Sequence, residues 1–250
     1  MLLPSMAGHS HWANIAYKKA AIDRKRGKLW SKIARQILSA AKSGGGNPDA
    51  NNKLKYAVAA GRAANMSNDQ IKRIIDRATG AGGAESYEET VYEGYAPGGC
   101  AVLVEALTDN RNRTGGDVRN LFEKHGGNLG ASGSVAWQFD RRAVLRLTKG
   151  GASEEDVLGA VLDAGADDVE DAGEEYVVTG APQALSALQH AAQAGGLTVA
   201  SAAISWVPKD YVAVDAGTAQ RIATLLEGLE ENDDVQGVHT NAEFPEGFAG

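Results

Sequence analysis

From Leu29 onward the apolar residues Leu29, Ile33, Ile37 and Ala41 recur at about every fourth position, the repeat of a helix with one buried face. Lys28, Lys32, Arg35 and Lys42 follow at intervals of four, three and seven, so they line one side of the same helix, beside its core stripe. Trp12 to Arg26 reads as a shorter helix that Gly27 breaks before the Leu29 helix begins. Gly44-Gly45-Gly46-Asn47-Pro48 ends that second helix: three glycines lose too much backbone freedom to stay helical, and Pro48 suits a new first turn. A third helix runs through Leu54, Val58 and Gly61, and its alanines imply close packing. Ser67 and Gln70 form a capping box for a fourth, with Ile71, Ile74 and Ile75 inward.

After Glu85 the period changes. Tyr87 to Tyr95 and Cys100 to Thr108 are strand-like runs joined by Ala96-Pro97-Gly98-Gly99, where Pro97 fixes φ and the glycines permit positive φ. Thr114, with Asp117 three residues on, reads as the cap of a helix whose inner face is Val118, Leu121, Phe122 and His125. Gly126-Gly127 stops it, and Ser134 to Phe139 resumes as strand. From Arg142 the order is strand (Ala143 to Leu147), helix capped by Ser153 (core face Val157, Leu158, Val161, Leu162), and two strands (Asp167 to Asp171, Tyr176 to Thr179). A helix from Pro182 and a strand from Thr198 to Trp206 complete it. This βαββαβ order is the ferredoxin-like split unit. Tyr211 to Val214, the helix of Ile222, Leu225, Leu226 and Leu229, and the strand Val235 to Thr240 have no partners of their own. Joined to the segment before Arg142, they supply the second helix it lacks.

The expected fold is therefore α+β: an N-terminal helical domain followed by two ferredoxin-like α/β domains, one inserted in the other. The expected boundaries are residues 1–80 for the basic helical domain, 81–140 plus 208–250 for the split domain and 141–207 for the insertion.

Charge sharpens the division. The 250-residue chain is acidic as a whole, with net charge -7, which alone argues against nucleic acid. Residues 1–80, however, hold fifteen Lys and Arg against four acids, a net +11, and the remainder holds ten against twenty-eight, a net -18. Within Gly8 to Lys42 nine bases face one acid, Asp23. Such asymmetry marks a basic, nucleic-acid-facing portion attached to acidic domains. The candidate phosphate contacts are Lys18, Lys19, Arg24, Lys25, Arg26, Lys28, Lys32, Arg35 and Lys42, because each cation that neutralises a phosphate releases a condensed counterion. Arg111, Arg113 and Arg119 extend the set: they lie where a strand passes into a helix, and free N–H groups can converge there on an anion. The other reading has Asp109 and Asn112 serving turn and cap while the arginines pair with nearby acids. Trp12 and Tyr17 either stack on bases or anchor a small core.

No catalytic residue, metal ligand or cofactor is expected. Cys100 is the only cysteine, so neither an intrachain disulfide nor a cysteine-based metal site can form. Gly126-Gly127-Asn128-Leu129-Gly130 follows a helix and lacks the closing Gly-Lys-Ser/Thr of a phosphate loop, so it reads as a turn. His9 and His11 lack further ligands, and His125, His190 and His239 lack a nucleophile arrangement. No apolar run approaches the roughly 18 to 20 residues of a membrane span, and the opening MLLPSM is too short for a signal peptide. The expected location is cytoplasmic, with Met6 an alternative start to Met1. The expected partners are DNA or RNA, the ribosome as a second reading, and a protein partner for the acidic domains. Residues 151–250 carry nineteen acids against Lys209 and Arg221, a surface that repels phosphate.

Long segments of the chain resemble the YebC/PmpR family: AGHSHWANI, KKAAIDRKRGKLWSKIARQI, GGNPDAN, YEGYAPGG, EALTDNRNRT, KHGGNLG and DDVQGVHTN. The resemblance spans nearly the whole sequence. It implies three domains and a non-enzymatic regulator of gene expression in the bacterial cytoplasm that binds DNA; mitochondrial relatives imply a translational activator, and other bacterial members a ribosome-associated RNA-binding factor. Two positions depart from the family pattern: His11 stands where a basic residue is usual, and Ser67 where proline is usual.

Overall fold

The structure, a computed structural model, describes residues 26–80, 87–245 and 247–248. The helix expected over Trp12 to Arg26 lies outside the described residues apart from its last position. In chain order the elements are α1 (Arg26–Gly44), α2 (Asn52–Ala63), α3 (Asn68–Thr79), β1 (Glu88–Tyr95), β2 (Ala101–Thr108), α4 (Arg111–Lys124), β3 (Asn128–Leu129) and β4 (Phe139–Thr148). Then follow α5 (Glu154–Val161), β5 (Ala166–Asp171), β6 (Glu175–Gly180), α6 (Leu185–Ala194), β7 (Thr198–Pro208), β8 (Val212–Ala213), α7 (Ala216–Glu231), β9 (Val235–Thr240) and β10 (Ala242–Glu243). Helices come first and antiparallel sheets after them, as the sequence pattern requires. Two compact units are formed by the described residues, one of 26–80 and 87–136 with Gly217–Thr240, the other of Trp137–Ala216 with 241–245 and 247–248.

In the first unit α1, α2 and α3 close around Ile33, Ile37, Leu54, Val58 and Ile71. Gly27 does not break the chain as expected but sits inside the first turn of α1; a glycine there costs only about 1 kcal/mol relative to alanine, which the packing of later turns offsets. Nor does Pro48 open α2. The cap is Asn51, whose side-chain oxygen accepts from the Leu54 N–H at 3.1 Å while its amide donates to the carbonyls of Ala40 and Gly45, so one side chain ends α1 and starts α2. The alanines of α2 are not the packed surface either: Ala57 is buried, but Ala59, Ala60 and Ala63 are exposed. Close approach comes instead from Gly61, where an added Cβ would lie 3.3 Å from Ile71 Cδ1 and 3.5 Å from Ile33 Cγ2. The Ser67 and Gln70 capping box of α3 is present with both hydrogen bonds.

The sheet of this unit runs β3-β1-β2-β9, all antiparallel. Gly98 and Gly99 take φ of 79° and 75° in the β1–β2 connection, the left-handed region that glycine enters without steric cost. Val102, Leu103 and Val104 are fully buried, so β2 is covered on both faces and reads as a continuous apolar run. Phe122 of α4 and Ile222, Leu225 and Leu229 of α7 complete this core. Asn110, not Thr114, caps α4, accepting from the Arg113 N–H at 3.1 Å. The segment from Ser134 is not strand until Phe139: the Glu93 carboxylate accepts from the N–H groups of Gly133, Val135 and Ala136 at 2.6, 2.8 and 2.8 Å, which removes those donors from any ladder.

The second unit has the βαββαβ order with strands arranged β5-β6-β4-β7, the ferredoxin-like sheet. Leu145, Leu147, Val157, Val161, Val178 and Leu188 fill the side that α5 and α6 cover. Leu158 and Leu162, expected on the core face of α5, are exposed at 41% and 56%. The helix lasts only eight residues before tightening at Leu162–Ala164, and Val157 and Val161, spaced by four, suffice to cover the strands. β8 and β10 pair in parallel.

Candidate nucleic-acid interface

The side of α1 that carries Lys28, Lys32 and Arg35 meets the C-terminal end of α7. The last carbonyls of any helix lack intrahelical partners and mark the negative end of its dipole. Lys28 Nζ donates to the Glu231 carbonyl at 2.9 Å and Lys32 Nζ to the Glu230 carbonyl at 2.7 Å. Arg35 donates to the Asp233 carbonyl and pairs with Asp234 Oδ1 at 3.1 Å, and Gln36 reaches Gln236 at 3.1 Å. Three cations on one helix face thus close the end of another helix. Burial lowers the pKa of Lys32, with Glu230 and Asp233 opposing.

Asp234 is the centre of this arrangement. Its second oxygen accepts from Arg113 at 2.6 Å, Thr114 at 2.6 Å and Thr108 at 3.3 Å, and the residue is 4% exposed. Burial opposes its ionisation, but the hydrogen bonds from Thr114 and Arg113, with the charges of Arg113 and Arg35, hold its carboxyl below the usual range. The hydrogen bond from Arg113 to Asp234 in turn raises the pKa of that arginine. The Arg35 guanidinium also lies over the Tyr87 ring, 5.7 Å from its centroid.

The other sequence candidates are distributed more widely. Arg111 is exposed, donating to Thr90 Oγ1 at 3.2 Å with Glu88 at 4.0 Å. Arg113 pairs with Asp109 at 2.7 Å besides Asp234, so two of the three α4 arginines have acidic neighbours. Arg119 is exposed and has no hydrogen bond or ion pair among the described residues. Lys42 is exposed in the last turn of α1. Lys18, Lys19, Arg24 and Lys25, and the side chain of Arg26, lie outside the described residues.

Other cations were passed over in the sequence. Lys55 on α2 and Lys72 and Arg73 on α3 are exposed and make no hydrogen bond or ion pair among the described residues. The signal for the first was present: α2, NKLKYAVAAGRA, contains no acid. Asp234 and Glu93 carried no comparable signal, because nothing local reveals that an acid will be buried by donors distant in the chain.

Among the described residues no group of three or more His, Cys, Asp or Glu side chains is arranged to hold a metal, and no helix is long and apolar enough to cross a membrane. Burial pushes the Cys100 thiol up, away from the thiolate that reactive cysteines need.

The chain is similar to known proteins over almost its full length. It is 50% identical over 243 residues to a protein of Treponema denticola named "Probable transcriptional regulatory protein", covering 97% of this chain and 98% of that one. A protein of Rubrobacter xylanophilus bearing the same name is 49% identical over 242 residues, 96% of this chain and 97% of the other. Among solved structures, a conserved hypothetical protein, Aq1575 from Aquifex aeolicus, superposes with a TM-score of 0.86 at 44% identity, covering 95% of this chain and 98% of that chain. Residues 10–81 match the description "TACO1/YebC protein N-terminal domain" and residues 87–242 match "TACO1/YebC second and third domain". The chain belongs to the TACO1/YebC family.

Proposed function

We propose that this protein is a non-enzymatic, DNA-binding regulator of gene expression, acting in the cytoplasm and holding phosphate backbones through the basic residues 1–80. The observation that carries the reading is the segregation of charge, +11 in residues 1–80 against -18 in the remainder. Cations gathered at one end gain affinity by displacing condensed counterions, while the acidic remainder turns away from phosphate. The relatives' names, transcriptional regulatory proteins, agree with this role. Phosphate contacts position a protein without reading bases, so target choice rests on further contacts or on a basic protein partner bound by the acidic domains at 81–140, 208–250 and 141–207.

The test is equilibrium binding of the full chain to a generic DNA duplex and to a structured RNA across a salt series. Neutralising some four to six phosphates gives a slope of roughly -3 to -5 in log affinity against log salt. Binding to neither nucleic acid at low salt refutes the proposal. Tight binding to the RNA alone moves the function to an RNA-binding translation factor at the ribosome.

A further inference from the structure

We infer that the phosphate backbone is met by the outer face of α2, and that the Lys28, Lys32 and Arg35 side of α1 instead fastens the helices to the rest of their unit. The inference rests on the nucleic-acid reading above and names the surface that serves it.

The α1 stripe is already occupied. Its three cations donate to the carbonyls of Glu230, Glu231 and Asp233 and to the Asp234 carboxylate, so a phosphate there has to displace bonds that close a helix end. The outer face of α2 is engaged only at its first turn, where exposed Lys53 pairs with exposed Glu89 at 2.9 Å. Leu54, Ala57, Val58 and Gly61 point inward, which leaves Lys55, Ala59 and Arg62 along one outer line at intervals of four and three. Tyr56, Ala60 and Ala63 run along the next line, with Tyr56 42% exposed.

Three features suit this face to a polyanion. The twelve residues of α2 include no acid, so nothing on the helix repels phosphate. Lys55 makes no hydrogen bond or ion pair among the described residues, and exposed Arg62 makes one neutral contact, to Asn68 Oδ1 at 3.3 Å. Because a helix rises about 1.5 Å per residue, the two cations stand about 10 Å apart along the axis, enough to engage two non-adjacent phosphates of one strand. The exposed alanines let a sugar-phosphate backbone come close, and the Tyr56 ring is positioned for a sugar or an unstacked base. The occupant is a nucleic-acid backbone, whose phosphodiester is shared by DNA and RNA.

The experiment uses the full chain. Lys55→Ala with Arg62→Ala removes two exposed side chains whose one hydrogen bond is that of Arg62 to exposed Asn68, so thermal unfolding stays where it was. On a DNA duplex and a structured RNA measured in parallel, the expected slope of log affinity against log salt becomes shallower by about 1.8, near 0.9 for each phosphate that is no longer neutralised, on whichever nucleic acid the parent binds. Lys28→Ala, Lys32→Ala and Arg35→Ala combined lower the unfolding temperature and leave the slope in place. A parent that binds, with an unchanged slope in the α2 variant or an equal flattening in the α1 variant alone, overturns the inference and leaves the proposed function standing. A parent that binds neither nucleic acid removes both.

Discussion

Arg35 and Asp234 stand 3.1 Å apart, one in the first described helix and the other just beyond the last. Around that pair the chain gathers Arg113, Thr114, Thr108 and the end of α7. What holds it is a carboxylate whose donors come from α1, from the end of β2 and from the first turn of α4.

Asp234→Asn tests this centre. The amide keeps the volume but leaves Arg35 and Arg113 without their buried counter-charge and sets an NH2 among donors. Removing one partner of a buried pair costs about 3 to 5 kcal/mol, and the partial exposure of both arginines reduces this to about 2 to 3 kcal/mol. Urea unfolding monitored by circular dichroism measures the loss. Asp233→Asn, at an exposed side chain, is expected to change stability by about 0.5 kcal/mol or less.

The acid limb of stability follows from the same carboxylate and from Glu93. Burial opposes the ionisation of Glu93, but its three backbone N–H bonds hold the carboxyl below the usual range. Both groups therefore have folded-state pKa values beneath their unfolded ones, about 3.9 for Asp and 4.3 for Glu. Their contribution is fully present above those unfolded values and is lost as pH falls through the depressed folded ones. Stability measured from pH 7 down to pH 3 should stay level with respect to these groups until about pH 4 to 5 and then drop. Glu93→Gln should be less stable at pH 7 and show a shallower drop.

At Gly127 an added Cβ would lie 2.5 Å from the Tyr95 carbonyl oxygen and 3.2 Å from Phe122 Cδ1. The backbone oxygen cannot move aside as a side chain can. Gly127→Ala should therefore cost about 1 to 3 kcal/mol through overpacking, whereas alanine at Gly116, which faces open space, should be neutral or slightly stabilising in its helix. Thermal unfolding of the two variants separates the cases.

Leu158→Gln and Leu162→Gln, at exposed positions of the second unit, are expected to shift stability by about 0.5 kcal/mol or less. Val161→Ala, fully buried one turn after Val157, should cost on the order of 1 to 3 kcal/mol. Equal losses at Leu158 and Val161 would return the leucines to the core.

Periodicity alone revealed the helix that carries Leu29, Ile33 and Ile37, the strand run from Cys100 to Thr108 and the βαββαβ order, because each signal lies within a few residues of itself. The errors share a different character. Thr114 looks like a cap because hydroxyls usually cap, yet its partner is Asp234, far along the chain. Ser134 to Phe139 looks like a strand, yet Glu93 claims its N–H groups. Leu158 and Leu162 match the helical repeat as well as Val157 and Val161 do, and only the way α5 seats on its sheet, with Val157 and Val161 in the core, separates them. The basic stripe was legible as a stripe; that a helix end would meet it was not, since backbone carbonyls have no letter in a sequence.

The closure of α7 by α1 also sets an order of events during synthesis. Residues 26–80 are made long before Glu230, Glu231 and Asp234, so the cations of α1 first appear without the partners they have in the finished unit. β2 likewise waits for β9, with which it pairs from Val102 to Ala106. Contacts between such distant segments form slowly because the intervening chain must be gathered first. The first unit is therefore finished only when Asp234 and β9 have been made, and a message cut short before Asp234 yields a chain whose helices α1 to α3 have never been fastened.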